Sequence, residues 1–257
     1  MTSTRTGLTG RVVVVTGGAS GIGRAAALKF AAEHAKVLVA DLNREGAEEV
    51  VREIETAGGA ALAVAGDLSD QRVVDTVVER AVTDLGGLDV LANNAGIMDR
   101  MSALGETDDA EWERVMRVNL TAPFLLTRAA LPHMLDAGRG SIVFTASEAS
   151  LRGSAAGAAY TAAKHAVAGL VKSLAVTYRE QGVRANAIAP GPTATSIRVD
   201  SSPEAQGPAL IGRLIGATIG RMGSAEEQAA ALVFLASDDA AFINGAILPV
   251  DDGWAAV

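Results

Sequence analysis

The sequence predicts an α/β fold, a single doubly wound parallel sheet of about seven strands with helices on both faces. Three observations carry that prediction. Seven short apolar runs of strand length recur along the 257 residues, helix-period stretches separate them, and the runs are apolar throughout instead of alternating. Strands that alternate with helices build βαβ units and so a parallel sheet. Helices covering both faces bury both sides of every strand, which removes the polar alternation. Right-handed crossovers wind such a sheet in two directions and place ligands at the carboxyl ends of its strands.

The predicted strands are Arg11–Thr16, Lys36–Asp41, Ala61–Asp67, Leu88–Asn94, Ser141–Ser147, Val183–Pro190 and Ala246–Asp251. The helix-period stretches between them are Gly23–Glu33, Arg44–Ala57, Arg72–Leu85, Glu111–Leu135, Ala158–Gln181 and Ala225–Ala236. Thr195–Gly223 breaks the pattern. It is rich in Ser, Pro and Gly and reads as a mobile lid with short helices. With no linker, repeat or low-complexity block, residues 1–257 are expected to form one domain.

Composition narrows the function. A net charge of −8 with no basic block argues against a nucleic acid or an anionic lipid surface as partner. No run of eighteen apolar residues occurs, so no membrane span is expected. The start, MTSTRTGLTGR, has no apolar signal core, and a cytoplasmic location is expected. There is no cysteine, and His34, His133 and His165 are scattered, so no metal centre is visible.

The stretch TGGASGIG (Thr16–Gly23) follows the first strand and opens the first helix. Gly17, Gly21 and Gly23 permit a tight turn whose N–H groups approach a pyrophosphate at the helix N-terminus, with Ser20 and Ile22 between them. A plain glycine-rich turn is the simpler alternative, since a lone motif of this kind is weak. Asp41 ends the second strand with Leu42 after it, at the distance expected for a carboxylate that accepts from an adenosine ribose. Its charge would repel a 2′-phosphate, which favours NAD over NADP. Asp41 as a helix N-cap is compatible with either, and Arg44 nearby is a candidate phosphate partner. Asp67 and Leu68 after the third strand, and Asn93 to Gly96 (NNAG, with Asn94, Ala95 and Gly96) after the fourth, suit contact with adenine and ribose. Asx turns explain them equally well.

Tyr160 and Lys164 stand four residues apart in AAYTAAKHA and so share a helix face. Tyrosine is a poor base because its ordinary pKa is about 10, and a cation within a few ångströms favours the phenolate. Ser147 at the end of the fifth strand can donate to a carbonyl oxygen. Asn119 is a poor helix former inside a predicted helix, which suggests a specific role there. Each residue has a structural alternative: a core aromatic, a lysine reaching solvent, a turn cap, a bend around a water.

Taken together these residues resemble the short-chain dehydrogenase/reductase family in its 250-residue form, over Leu8 to Gly253. TGGASGIG resembles its cofactor turn, NNAG its fourth-strand motif, Asn119, Ser147, Tyr160 and Lys164 its catalytic tetrad. PGPTAT, with Pro190, Gly191, Thr193 and Thr195, resembles its nicotinamide-contact motif. The resemblance implies a Rossmann-type sheet, frequent assembly as a homotetramer, and hydride transfer between a secondary alcohol or ketone substrate and a nicotinamide. Ser20 and Asp41 stand where NADP-preferring members commonly carry a basic residue, which again implies NAD. Asp252 stands where the family commonly has Gly, and Ala163 replaces a frequent Ser. The runner-up activity is a 3-oxoacyl-thioester reductase using NADPH, and a non-catalytic dinucleotide sensor is a further alternative. Glu148 and Arg152 are candidates for recognising a substrate group, with a surface ion pair the preferred expectation.

Overall fold

The computed structural model describes residues 6–256. Its strands are β1 (Val12–Thr16), β2 (Lys36–Asp41), β3 (Ala60–Ala65), β4 (Val90–Asn93), β5 (Gly140–Thr145), β6 (Val183–Pro190) and β7 (Ile247–Val250). They form one sheet in the order β3-β2-β1-β4-β5-β6-β7, and every pairing is parallel. The order reverses between β1 and β4. The first three strands run to one edge and the last four to the other, which opens a crevice above the carboxyl ends of β1 and β4.

The helices are α1 (Gly21–Ala32), α2 (Arg44–Thr56), α3 (Gln71–Arg80), α4 (Asp109–Met116), α5 (Ala122–Asp136), α6 (Ala158–Tyr178), α7 (Gln206–Thr218) and α8 (Ala225–Ala236). They divide by face. Val12 and Val14 of β1 pack with Val74 and Val77 of α3, Leu126 of α5 and Val171 of α6. Val13 and Val15 pack with Phe30 of α1, Ile54 of α2 and Leu232 of α8. Successive side chains of one strand enter opposite cores, so a continuous VVVV run is what the position demands. A fully buried Val, Leu or Phe contributes roughly 1.5–3 kcal/mol relative to exposure, and both cores are rich in them.

Four expectations differ in detail. The stretch expected as one helix over Arg72–Leu85 is α3 followed by a π-helical turn at Ala81–Leu85. The stretch expected as one helix over Glu111–Leu135 is α4 and α5 joined by a π-helical turn at Arg117–Thr121. Pro123 explains the break: it lacks the N–H that an α-helix would direct at the Asn119 carbonyl, and its ring crowds the same turn. The expected short helices of Thr195–Gly223 are one 13-residue helix, α7. At the C-terminus, Asp252 has φ 56, a left-handed conformation that favours glycine. Asp tolerates it better than most residues, and here its Oδ2 accepts from Arg221 N at 3.1 Å.

Candidate active site

The chain folds the turn after β1 tightly against the end of β4. Gly17 has φ 64, and a Cβ there would lie 2.9 Å from the Ala95 Cα. Gly17 N and Gly18 N both donate to Ala40 O, which ties the turn to β2. Asn94 locks the neighbouring strand ends: its Nδ2 donates to Thr16 O at 3.1 Å and its Oδ1 accepts from Thr145 Oγ1 at 3.0 Å. Ser20 then enters α1 in an extended conformation with no side-chain cap, which leaves the N-terminal amides of α1 open.

Above these strand ends lies a cleft of about 1010 Å³. Most of the residues named from the sequence for cofactor or chemistry line it; Asn93, Arg44, Glu148 and Arg152 do not, and nor do two others. Gly23 is the first. A Cβ on it would lie 2.1 Å from Gly17 O, so its lack of a side chain serves the packing of helix on turn. Asn119 is the second. Its Nδ2 donates to Ile97 O and Val115 O, and its Oδ1 accepts from Ile97 N. Both amide hydrogens are committed, and the side chain fixes the start of the loop after β4. It still stands close to the lysine: a Cβ on Gly96 would lie 2.8 Å from Asn119 Oδ1 and 3.6 Å from Lys164 Nζ.

Asp41 lines one end of the cleft. Its Oδ2 accepts from Ala19 N at 2.9 Å and its Oδ1 from Asn43 N at 2.8 Å. Each oxygen keeps a lone pair for a further donor. The cap of α2 is Asn43, whose side chain accepts from Gly46 N, so the helix-cap alternative for Asp41 does not hold. Arg44 lies within 3.8 Å of Glu48 on the exposed face of α2. Asp67 lies near the same end and pairs with Arg117 at 3.1 Å. Hydrogen bonds from Ser69, with Arg117 adding its charge, hold its carboxyl below the usual range.

The chemical end is built by α6 and the loops facing it. Tyr160 and Lys164 are 8% and 3% exposed. Lys164 Nζ lies 5.3 Å from the centre of the Tyr160 ring and donates to Thr145 O at 2.7 Å. Ser147 Oγ accepts from Ala149 N at 3.1 Å, which leaves its own hydrogen to donate into the cleft. The expectation that Lys164 makes the phenol acidic is not met in the protein alone. Burial pushes Tyr160 up to about 12, against a downward pull from Ser147 and with an upward push from Asp99. Burial also lowers Lys164 to about 8. Desolvation penalises each charged form more strongly than the partner stabilises it.

Asp99 and Trp254 escaped sequence reasoning. Asp99 is 2% exposed and accepts from Met101 N, Gly157 N and Tyr160 N, so it fixes the first turn of the helix that carries Tyr160. Its partners are up to 61 positions away, and no local pattern announces it. Trp254 comes from the chain's last turn and lines the cleft near the lid residues Ile215 and Ile219. The ion pair expected at the surface is instead buried: Glu148 is 1% exposed and lies 3.3 Å from Arg152. Burial, with Asp251 facing it, pushes Glu148 up to about 7.

The glycine cradle, the amides of α1 and the free lone pairs of Asp41 fit a dinucleotide. Residues 11–206 match the family model for short chain dehydrogenases. The chain is 43% identical over 253 residues to 3beta-hydroxysteroid dehydrogenase 2 of Eggerthella lenta, covering 97% of this chain and 96% of that protein. It is 44% identical over 249 residues to the cis-4-hydroxycyclohexanecarboxylate dehydrogenase of Sinomonas cyclohexanicum, covering 96% and 97% of the two chains. Among solved structures, a Beutenbergia cavernae protein assigned as an NAD(P)-dependent gluconate 5-dehydrogenase, with NADP bound at low occupancy, superposes with a TM-score of 0.87. It is 40% identical, covering 98% of this chain and 100% of that one. The sheet order, the cleft at the reversal of that order and these matches together place the chain in the short-chain dehydrogenase/reductase family, as an oxidoreductase acting on CH–OH groups.

Proposed function

We propose that this chain transfers a hydride reversibly between a cyclic secondary alcohol, or its ketone, and NAD, with Tyr160 as the acid–base. The observation that carries the reading is the convergence of Ser147, Tyr160 and Lys164 in the cleft whose other end holds the glycine turn and Asp41. The named activities of the relatives, on a hydroxysteroid and on a hydroxycyclohexanecarboxylate, support a ring alcohol as substrate. So do the apolar side chains of Met98, Met101, Ile215, Ile219 and Met222 on the cleft wall.

The roles follow from the geometry. The glycine turn and α1 would hold the pyrophosphate, Asp41 and Leu42 the adenosine ribose, and Pro190 to Thr195 the nicotinamide end. When bound, the nicotinamide supplies the hydride acceptor or donor. Ser147 donates a hydrogen bond to the substrate oxygen and shares its developing charge. Tyr160 as phenol gives that oxygen a proton during reduction, and as phenolate takes one during oxidation. The buried phenol therefore rests in the form that reduction needs. Lys164 keeps its ammonium through neutral pH and favours the phenolate when oxidation calls for it. Pro123 leaves the Asn119 carbonyl without an α-helical donor, and we assign a water held there to the proton path between Lys164 and solvent.

NAD over NADP rests on Asp41, a cleft-lining carboxylate whose charge would repel a 2′-phosphate, and on the neutral Ser20. The NADP in the Beutenbergia cavernae structure makes this the point to measure. Asp41 also weighs against an NADPH-dependent 3-oxoacyl-thioester reductase. The lid of residues 195–223 would close over bound ligands. Ser196 Oγ donates to Ser20 Oγ at 2.9 Å at its start, and Glu106 accepts from Gln206 N and Gly207 N where α7 begins. Exposed Trp112 and Phe124 on α4 and α5, and Phe234 and Phe242, supply apolar surface for a homotetramer. No helix of the described residues is long and apolar enough to cross a membrane. A dinucleotide-linked absorbance screen tests the reading on cyclic alcohols, sugars, hydroxysteroids and 3-hydroxyacyl esters. Turnover of ring alcohols with NAD is expected; turnover of 3-hydroxyacyl esters alone, or equal or better efficiency with NADP, overturns it.

A further inference from the structure

We propose that Trp254 is a specificity-determining residue, forming a fixed wall at the substrate end of the cleft that limits the ring size admitted to Tyr160. The proposal rests on the dehydrogenase reading above and deepens it.

Trp254 belongs to the final turn of the described chain, far in sequence from the rest of the site, yet it lines the same cleft as Ser147 and Tyr160. It is 5% exposed. Three independent ties hold it. On the ring face, the Arg152 guanidinium carbon lies 4.3 Å from the ring centre. At the ring edge, Nε1 donates to Thr218 Oγ1 at 2.8 Å, the last residue of the lid helix α7. Along the backbone, Trp254 N donates to Asp251 O, while the Asp251 carboxylate accepts from Gly253 N and Ala255 N on either side of the tryptophan. Gly253, at φ 80, turns the chain into this position.

These ties place the indole at the substrate end. Arg152 pairs with Glu148, the neighbour of Ser147, and Thr218 sits among the lid residues Ile215 and Ile219, which also face the cleft. The dinucleotide end, marked by Asp41 and Asp67, shares none of these partners. The face and backbone ties come from outside the lid and hold the indole wherever α7 stands, and packed side chains move only with their supports, so it does not yield to a larger ligand at low cost. Apolar walls discriminate by volume, and about one methylene changes relative efficiency by roughly 10–200-fold.

The test is the ratio of kcat/KM for a 3-hydroxysteroid to that for cyclohexanol, measured with Trp254→Ala, Trp254→Phe and Thr218→Val. The proposal expects the ratio to rise at least about tenfold in Trp254→Ala, and less in Trp254→Phe and Thr218→Val, with KM for NAD unchanged. Parallel loss on both substrates, with the ratio fixed in all three variants, overturns it. Thr218→Val removes the edge contact and the Thr218 Oγ1 hydrogen bond to Leu214 O but leaves the indole in place, so it keeps the test informative if Trp254→Ala fails to fold. The chain has 2 tryptophans, so in Trp112→Phe the emission reports Trp254 alone. A saturable emission change with cyclohexanone supports the wall even if no alcohol is turned over, in which case only the dehydrogenase reading fails. Turnover of cyclohexanol with no emission change at saturating cyclohexanone overturns the wall and leaves the enzyme reading standing.

Discussion

The two ends of the cleft are built in opposite ways. The dinucleotide end is local: the glycine turn follows β1, Asp41 ends β2 and Asn94 to Gly96 follow β4, so each group sits within a residue or two of a strand end. The substrate end is assembled from distance. Asp99 anchors α6 from the loop after β4, Glu106 holds the first residues of α7 about a hundred positions away, and Trp254 arrives from the last turn. A strand end can fix a common cofactor with short-range geometry. A specific substrate needs walls that can vary without disturbing the sheet, and loops and termini supply them.

The sharpest way to separate the two ends is Gly17→Ala. The new methyl meets the Ala95 backbone at 2.9 Å in a left-handed turn. The clash must displace the turn that would hold the pyrophosphate, on top of strain of roughly 1–3 kcal/mol, so NADH binding measured by titration should fall further than in any variant below, while cyclohexanone still perturbs Trp254 emission. Loss of both together would show that the ends are not independent. Asp41→Ala should act on the same end more gently. A charge-assisted hydrogen bond is worth roughly 1.5–3 kcal/mol, so NAD efficiency should fall about 10- to 150-fold, with NADP less affected. An unchanged NAD to NADP ratio would remove Asp41 from cofactor choice.

The last effect lies at the substrate end and appears in stability, with no change expected in cofactor binding. Glu148 holds its proton up to about 7 in the folded chain because of burial and Asp251, against an ordinary value of 4.5. Between those values the folded state binds more protons than the unfolded state, so unfolding free energy should fall as pH rises through that window. Glu148→Gln should flatten that slope in denaturant titrations at pH 4.5, 5.5 and 7. A slope identical to the parent's would show that Glu148 ionises normally.

Much of the fold was legible because it rests on periodicity. The Val12–Thr16 run and its successors show burial on both faces, and six further runs repeat it. The glycine turn and the Tyr160–Lys164 spacing were legible for the same reason, being local. The break at Arg117–Thr121 was not recognised, although Pro123 is its visible cause. The packing role of Gly23 and the backbone partners of Asn119 depend on chain segments that meet only in the fold. So do Asp99, the burial of Glu148 and the wall at Trp254. The burial that raises the phenol's pKa was not legible, because spacing reports the neighbouring cation and says nothing about the loss of water.

The central claim is that Tyr160 carries the proton in a site that the rest of the chain has already built. Tyr160→Phe removes one hydroxyl and preserves the ring on which Lys164 rests. With cyclohexanol and NAD, turnover should fall by about 10²–10⁴-fold, while NADH binds with parent affinity. Turnover within a few-fold of the parent would take Tyr160 out of the acid–base role and contradict the account.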